Sequence, residues 1–319
     1  MIFEKQVVNM YRGMMHTRCD DTETVFYFSV ENFPSLKAEP YAFSSSMGHT
    51  LQGYLYQYEG AREGRLIVFD HGFGGGHRAY MKEIERLARA GYVVLAYDHT
   101  GCMESGGESA NGLAQSLCDL NDCLCAIRKD ARFSGVDISV MGHSWGAFST
   151  MNIVALHPQV SHIVAMCGFV SVEEMMKTFF GGLLSPYRKA VLALEKASNP
   201  DFVQYHAVNS LSQSDTKALL IYSANDTLCR PVHYDILKAG LRGKENIRFL
   251  YVQNKGHNPN YTEDAVKLLG TFSGARAKFL RKKNVSEEEK RRFVSSFDWE
   301  AMTAQDESVW EQILTHLED

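Results

Sequence analysis

Three residues carry the chemistry that this sequence suggests: Ser144, Asp226 and His257. A serine hydroxyl is a weak nucleophile until a base takes its proton, the base needs an orienting partner, and the developing oxyanion needs hydrogen-bond donors. Ser144 lies in Gly142-His143-Ser144-Trp145-Gly146, between the apolar run 136–141 and the helical stretch 147–156, which Pro158 closes. Glycines on either side let a sharp strand-to-helix turn lift the hydroxyl into the open, where side chains would collide with the neighbouring strand and helix. Asp226 follows the apolar run 217–222, and His257 follows the run 247–252 behind Gly256. Loops at the C-terminal ends of parallel strands are where such sites are assembled. Asp235, the nearest rival acid, falls inside a predicted helix. The stretch His71-Gly72-Phe73-Gly74-Gly75-Gly76 follows a further apolar run and opens the backbone toward an oxyanion. The expected donors are the N–H groups of Phe73 and Trp145. The same loop lacks the Lys-Ser/Thr ending of a phosphate-binding loop. His71 is expected to anchor it by hydrogen bonding, His77 to line the substrate pocket, and His143 to point away from the hydroxyl.

These residues need a frame. The continuous apolar run at 65–70 is of the kind buried on both faces of a parallel sheet, 92–97 and 217–222 read as further buried strands, and 136–141, 162–166 and 247–252 as strands. Helical patterns separate them, at 78–90, 111–131, 147–156 and 232–239, so the expected fold is α/β, a mostly parallel central sheet with helices on both faces. Residues 24–30 and 51–58 read as earlier strands, the second antiparallel, and 7–15 as a short helix. The segment 169–212 has no strand pattern and is too long and apolar for a plain loop. It is expected to be an inserted helical lid, with Met175, Phe179, Phe180 and Leu183 toward the substrate. Residues 1–168 and 213–281 then form the core, and 282–319 a helical extension packed on the core or the lid. In that extension Ser286-Glu287-Glu288-Glu289 is a capping box, and 309–317 carries an apolar stripe.

Composition narrows the class. With 319 residues and 45% hydrophobic content the chain can bury a large core. The formal charge of −5, with both signs interleaved, gives no electrostatic footprint for nucleic acid. No apolar run reaches the roughly 20 residues of a membrane span. The N-terminus has no signal-peptide core, and seven cysteines, an odd number, are expected as free thiols in the cytoplasm. Cys123-Leu124-Cys125 has the wrong spacing for a metal or redox pair. No metal or organic cofactor is expected.

The loop His71-Gly72-Phe73-Gly74, the turn at residues 142–146, Asp226 with Pro231 five residues on, and Gly256-His257 together resemble the α/β-hydrolase-fold serine hydrolases. The resemblance is to the serine aminopeptidase-like group, which includes monoacylglycerol-lipase-like and cinnamoyl-esterase-like enzymes. It covers about residues 50–270. That group often carries D-x-R-G-x-G-x-S-x-G after the next strand; here the stretch starting at Asp98 has Thr100 for the Arg and Met103 for the middle Gly. The resemblance implies a serine hydrolase that cleaves a small or medium acyl ester through an acyl-enzyme. The expected partner is that small-molecule ester, with no nucleic acid and no membrane span, and the sequence specifies no oligomeric state. Two alternatives are a peptidase or amidase, with Glu173, Glu174 or Glu195 holding a substrate amine, and a non-catalytic ligand-binding protein on the same scaffold.

Overall fold

The structure, a computed structural model, describes residues 3–20, 22–62 and 64–319. One eight-stranded sheet runs through it: β1 (Lys37–Ser44), β2 (Thr50–Gln57), β3 (Arg65–Asp70), β4 (Val93–Tyr97), β5 (Asp137–His143), β6 (His162–Met166), β7 (Lys217–Ser223) and β8 (Ile247–Val252). The strand order is β1-β2-β4-β3-β5-β6-β7-β8. β1 pairs antiparallel with β2, and β2 antiparallel with β4, while every pairing from β4 to β8 is parallel. The apolar runs seen in the sequence are these parallel strands; β3, β5, β6 and β7 are buried along almost their whole length.

Side chains alternate between two packed layers, as the twofold period of a strand requires. Leu66, Val68, Val140, Ala165 and Leu220 face one layer with α3 (Gln115–Lys129) and α4 (Trp145–Ile153). Ile67, Phe69, Met141, Val164 and Ile221 face the other, with α2 (Met81–Arg89) and the C-terminal α12 (Glu307–Glu318). The stripe on α12, Val309, Trp310, Ile313 and Leu317, is buried against the sheet. Each such side chain contributes about 1.5–3 kcal/mol of transfer free energy. The capping box at Ser286 forms and opens α10 (Glu287–Ser295).

Two expectations at the N-terminal side are corrected. Residues 24–30 form no strand; Phe26 and Phe28 instead meet edge-on, with Trp299 beside Phe26 and Phe33 beside Phe28. Their alternation reflects aromatic packing, not a ladder. The first strand is β1, whose Pro40 and charged residues hid it; at the sheet edge a proline costs no central ladder bond. The helix expected from residue 111 starts at Gln115, because Asn111 and Gly112 are left-handed and the Leu113 N–H donates to Glu195 instead of joining a helix.

Between β6 and β7 the chain makes α5 (Val172–Phe179), a 3-10 stretch (Gly182–Tyr187), α6 (Arg188–Ser198) and α7 (Ala207–Ser212). At the other end of the sequence, α1 (Glu4–Met15) packs beside α6. The link is Glu195, a fully buried carboxylate. It accepts hydrogen bonds from Tyr11 Oη at 2.7 Å, His16 Nε2 at 3.0 Å and Leu113 N–H at 2.8 Å. The loop after β4 is held in a related way. Thr100, standing where the resemblance expects Arg, gives its hydroxyl to Asp119, while Arg18 donates to the carbonyls of Met103, Ser105 and Gly107.

Candidate active site

β5 ends in a turn that gives Ser144 φ 56° and ψ −111°, a strained conformation for a residue with a Cβ. The turn is tight: a Cβ on Gly146 would lie 2.0 Å from the Asp70 carbonyl oxygen, and one on Gly142 would lie 2.4 Å from Thr150 Oγ1. Only glycine lets strand, turn and helix close this tightly, and the geometry puts the serine at the N-terminus of α4.

Asp226 and His257 arrive from the loops after β7 and β8. His257 Nε2 is 2.8 Å from Ser144 Oγ, and His257 Nδ1 is 2.7 Å from Asp226 Oδ2. Asp226 is buried, and its other oxygen, Oδ1, accepts from the N–H groups of Leu228 and Cys229. That fixes the carboxylate and so the ring it faces. The arrangement can move a proton from the hydroxyl to Nε2 while the carboxylate holds Nδ1–H.

Phe73 and Trp145 lie beside the serine, their rings edge to face at 5.1 Å. Trp145 opens α4, where the first N–H groups of a helix have no acceptor within it. His71 anchors the glycine loop as expected: its Nδ1–H donates to the Gly72 carbonyl and its Nε2 accepts from the His99 N–H. Burial, with His99 nearby, lowers His71 to about 3, so it stays the neutral tautomer these bonds require. His99 goes the other way. Burial disfavours its cation, yet the Asp70 carboxylate, with Asp119, outweighs this and lifts it to about 10. An imidazolium between two buried carboxylates thus underlies the loop.

A cavity of about 270 Å³ opens onto Ser144, walled by Met15, Phe73, Leu113, Phe169, Met175 and Phe179. Met175 and Phe179, on α5, are among these walls, and His77, Phe180 and Leu183 are not. His77 is fully buried, its Nδ1 on Asp98 and its Nε2 on Tyr56. Burial opposes ionisation of Asp98, but the hydrogen bonds from His77 bring it down to about 2. Phe180 turns inward against Tyr11, and Leu183, in the 3-10 stretch, is 96% exposed.

The sequence did not single out Tyr80, Leu228 or Cys229, which also line the cavity, and His143, expected to point away from the hydroxyl, is another lining residue. Tyr80 and His143 form a relay. The Gly72 N–H donates to Tyr80 Oη, Tyr80 Oη–H donates to His143 Nδ1, and His143 Nε2–H donates to the His257 carbonyl. Burial, with His257 beside it, lowers His143 to about 3 and keeps it neutral. His143 therefore faces the His257 loop and ties it to the glycine loop. A Tyr three residues past an expected pocket histidine was the only signal available for this relay.

The profile of the serine aminopeptidase S33 family matches residues 61–251. The chain belongs to that family. This S33-family chain superposes on the esterase Pf2001 of Pyrococcus furiosus with a TM-score of 0.59 at 18% identity, over 81% of this chain and 96% of that one. The α/β hydrolase GrgF from Penicillium superposes with a TM-score of 0.54 at 16% identity, over 81% and 99%. The Pyrococcus horikoshii acylaminoacyl peptidase gives 0.53 at 16%, over 82% and 45%. These likenesses show the α/β-hydrolase fold. No curated protein sequence matches the chain. No helix among the described residues is long and apolar enough to cross a membrane.

Proposed function

We propose that this S33-family hydrolase is a serine esterase acting on a small or medium acyl ester. Ser144 is the nucleophile, His257 its base and then the acid for the leaving alcohol, and Asp226 the orienter of the ring. The observation that carries the reading is the continuous contact from Asp226 Oδ2 through His257 to Ser144 Oγ, at 2.7 and 2.8 Å. His257 takes the hydroxyl proton as Oγ attacks the carbonyl carbon. The tetrahedral oxyanion is received by the Phe73 and Trp145 N–H groups, and collapse leaves an acyl-enzyme. Water deprotonated by His257 then releases the acid. The stretch 169–212, with Met175 and Phe179 against the cavity, acts as a lid, and the unpaired thiols of all seven cysteines support a cytoplasmic setting.

The cavity's composition favours an ester with an apolar acyl group over a free α-amino substrate. An aminopeptidase needs a carboxylate to hold the amine, and no acidic side chain lines the cavity among the described residues. Glu195 is taken up by Tyr11, His16 and Leu113, and Glu174 pairs with Lys177. Glu173 is mostly exposed.

Turnover of p-nitrophenyl acyl esters by the wild type and by Ser144→Ala tests this. The variant should lose several orders of magnitude in kcat. Retention of most of the activity, or faster cleavage of aminoacyl anilides than of matched esters by the wild type, would reject the esterase reading.

A further inference from the structure

Cys167 has no part in the reaction proposed above, yet it stands against the charged end of the site. Its backbone is left-handed at φ 49°, although it is not glycine, and its N–H is tied to the Ile221 carbonyl at 2.8 Å. The side chain is fully buried beside Asp226. Its Sγ, a carboxylate oxygen of Asp226 and a ring nitrogen of His257 all lie within 4.8 Å of one another.

One thiolate, one imidazole and one carboxylate suit a thiophilic divalent cation better than a hard one. With Zn–S of about 2.3 Å and Zn–N and Zn–O of about 2.0–2.2 Å, tetrahedral ligand atoms sit roughly 3.3–3.6 Å apart. To reach that, Sγ draws in from at most 4.8 Å, while Asp226 Oδ2 and His257 Nδ1, 2.7 Å apart, separate by about 0.6–0.9 Å to admit the ion. The charges also match: a dication is balanced by one thiolate and one carboxylate, which a buried site requires. Asp226 is already braced by two backbone N–H donors on Oδ1, the kind of support that holds a ligating carboxylate in place.

We propose that Cys167, Asp226 and His257 form a latent inhibitory site for a thiophilic divalent cation such as Zn²⁺. The ion binds the Cys167 thiolate, Asp226 and His257 Nδ1. The thiol proton leaves to solvent, and the ring proton moves from Nδ1 to Nε2. Nε2–H then faces Ser144 Oγ as a donor, so it can no longer accept the hydroxyl proton. The inhibition rests on the esterase reading; the binding does not.

Cd²⁺ is the probe, because its bond to a thiolate gives an ultraviolet charge-transfer band that reports binding without activity. Titration of the full chain should give one such site, with ester turnover falling at least tenfold and recovering when EDTA is added. Cys167→Ala and Cys167→Ser should lose the band and need at least about 10–100-fold more metal for the same fractional inhibition of their own metal-free rate. Cys118→Ser should behave as the wild type; it removes the other cysteine that lies within reach of two carboxylates, Asp119 and Asp122. Circular dichroism and urea midpoints confirm that each variant is folded. A band that survives in both Cys167 variants, or disappears in Cys118→Ser, overturns the proposal. So does a metal-free enzyme that turns over esters but shows no band dependent on Cys167. A Cys167-dependent band in a protein that hydrolyses no ester upholds the site and refutes the esterase reading.

Discussion

Replacing Glu195 by Ala should loosen the N-terminal helix from the wall of the cavity. The carboxylate is buried in α6 and accepts from Tyr11 Oη, His16 Nε2 and the Leu113 N–H, at 2.7, 3.0 and 2.8 Å. Removing it leaves three donors without an acceptor in a dry site. A buried unsatisfied group costs about 1–3 kcal/mol, and breaking a buried charged contact by deleting one partner costs about 3–5 kcal/mol. The second range is the better guide, since the three donors share one carboxylate and their losses do not add. For a chain of this size it corresponds to a fall in Tm of roughly 4–8 °C. Two of the donors lie on or beside α1, and Met15 and Leu113 line the cavity. Leu113 also accepts from the Trp145 indole at 2.7 Å, so the disturbance reaches the residue after Ser144. Urea unfolding gives the global cost, and native-state hydrogen exchange should show the amides of residues 4–15 losing protection before those of the sheet. KM should rise more than kcat falls. Glu195→Gln separates this structural role from recognition of a substrate amine. Its amide places donors against donors, so it should also destabilise, whereas an amine-binding carboxylate would lose affinity for aminoacyl substrates with stability unchanged. A cost below about 1 kcal/mol in Glu195→Ala, with α1 exchange unchanged, would refute the reasoning.

Further outcomes follow from the same geometry. Asp226→Asn should keep the fold and lower ester kcat by about 10⁴, because the amide no longer holds the Nδ1–H tautomer; a loss under tenfold in steady-state kinetics would remove Asp226 from the proposed triad. His71 and His143, both lowered to about 3, stay neutral in the folded state while their unfolded forms protonate below about pH 6.5. Their stabilising contribution is therefore complete above that pH. It falls by about 1.4 kcal/mol per pH unit for each as the pH drops toward 3, which urea midpoints at stepped pH will show. His99 has the opposite sign: raised to about 10, it stabilises fully below about pH 6.5 and loses that contribution as the pH climbs to 10. His99→Gln should flatten the alkaline limb of the stability profile, and an unchanged limb would contradict a charged His99.

The parallel strands were legible because strands buried on both faces are mostly apolar along their middles, as β3, β5, β6 and β7 are. Ser144, Asp226 and His257 were legible for a related reason. Each lies in the loop after a parallel strand, β5, β7 or the half-exposed edge strand β8, so the sheet brings them together whatever the connections do. What escaped depends on contacts between distant segments. β1 is an edge strand with only Tyr41 and Phe43 buried, too little pattern to stand out from a loop. The pocket residues chosen from the segment 169–212 were partly misplaced because the chain turns at residue 180 from α5 into a 3-10 stretch. Phe180 then faces Tyr11 and Leu183 faces solvent. Met15 reaches the cavity only because Glu195 fastens its helix there, and no local spacing announces a contact across some 180 residues.

The central claim is that Ser144 is an activated nucleophile. The most direct test is reaction of the folded chain with a fluorophosphonate, followed by mass-spectrometric location of the adduct. Covalent modification of Ser144 is predicted, with labelling slowed by orders of magnitude in His257→Ala. An unmodified Ser144 in folded protein, or an adduct confined to another residue, would contradict it.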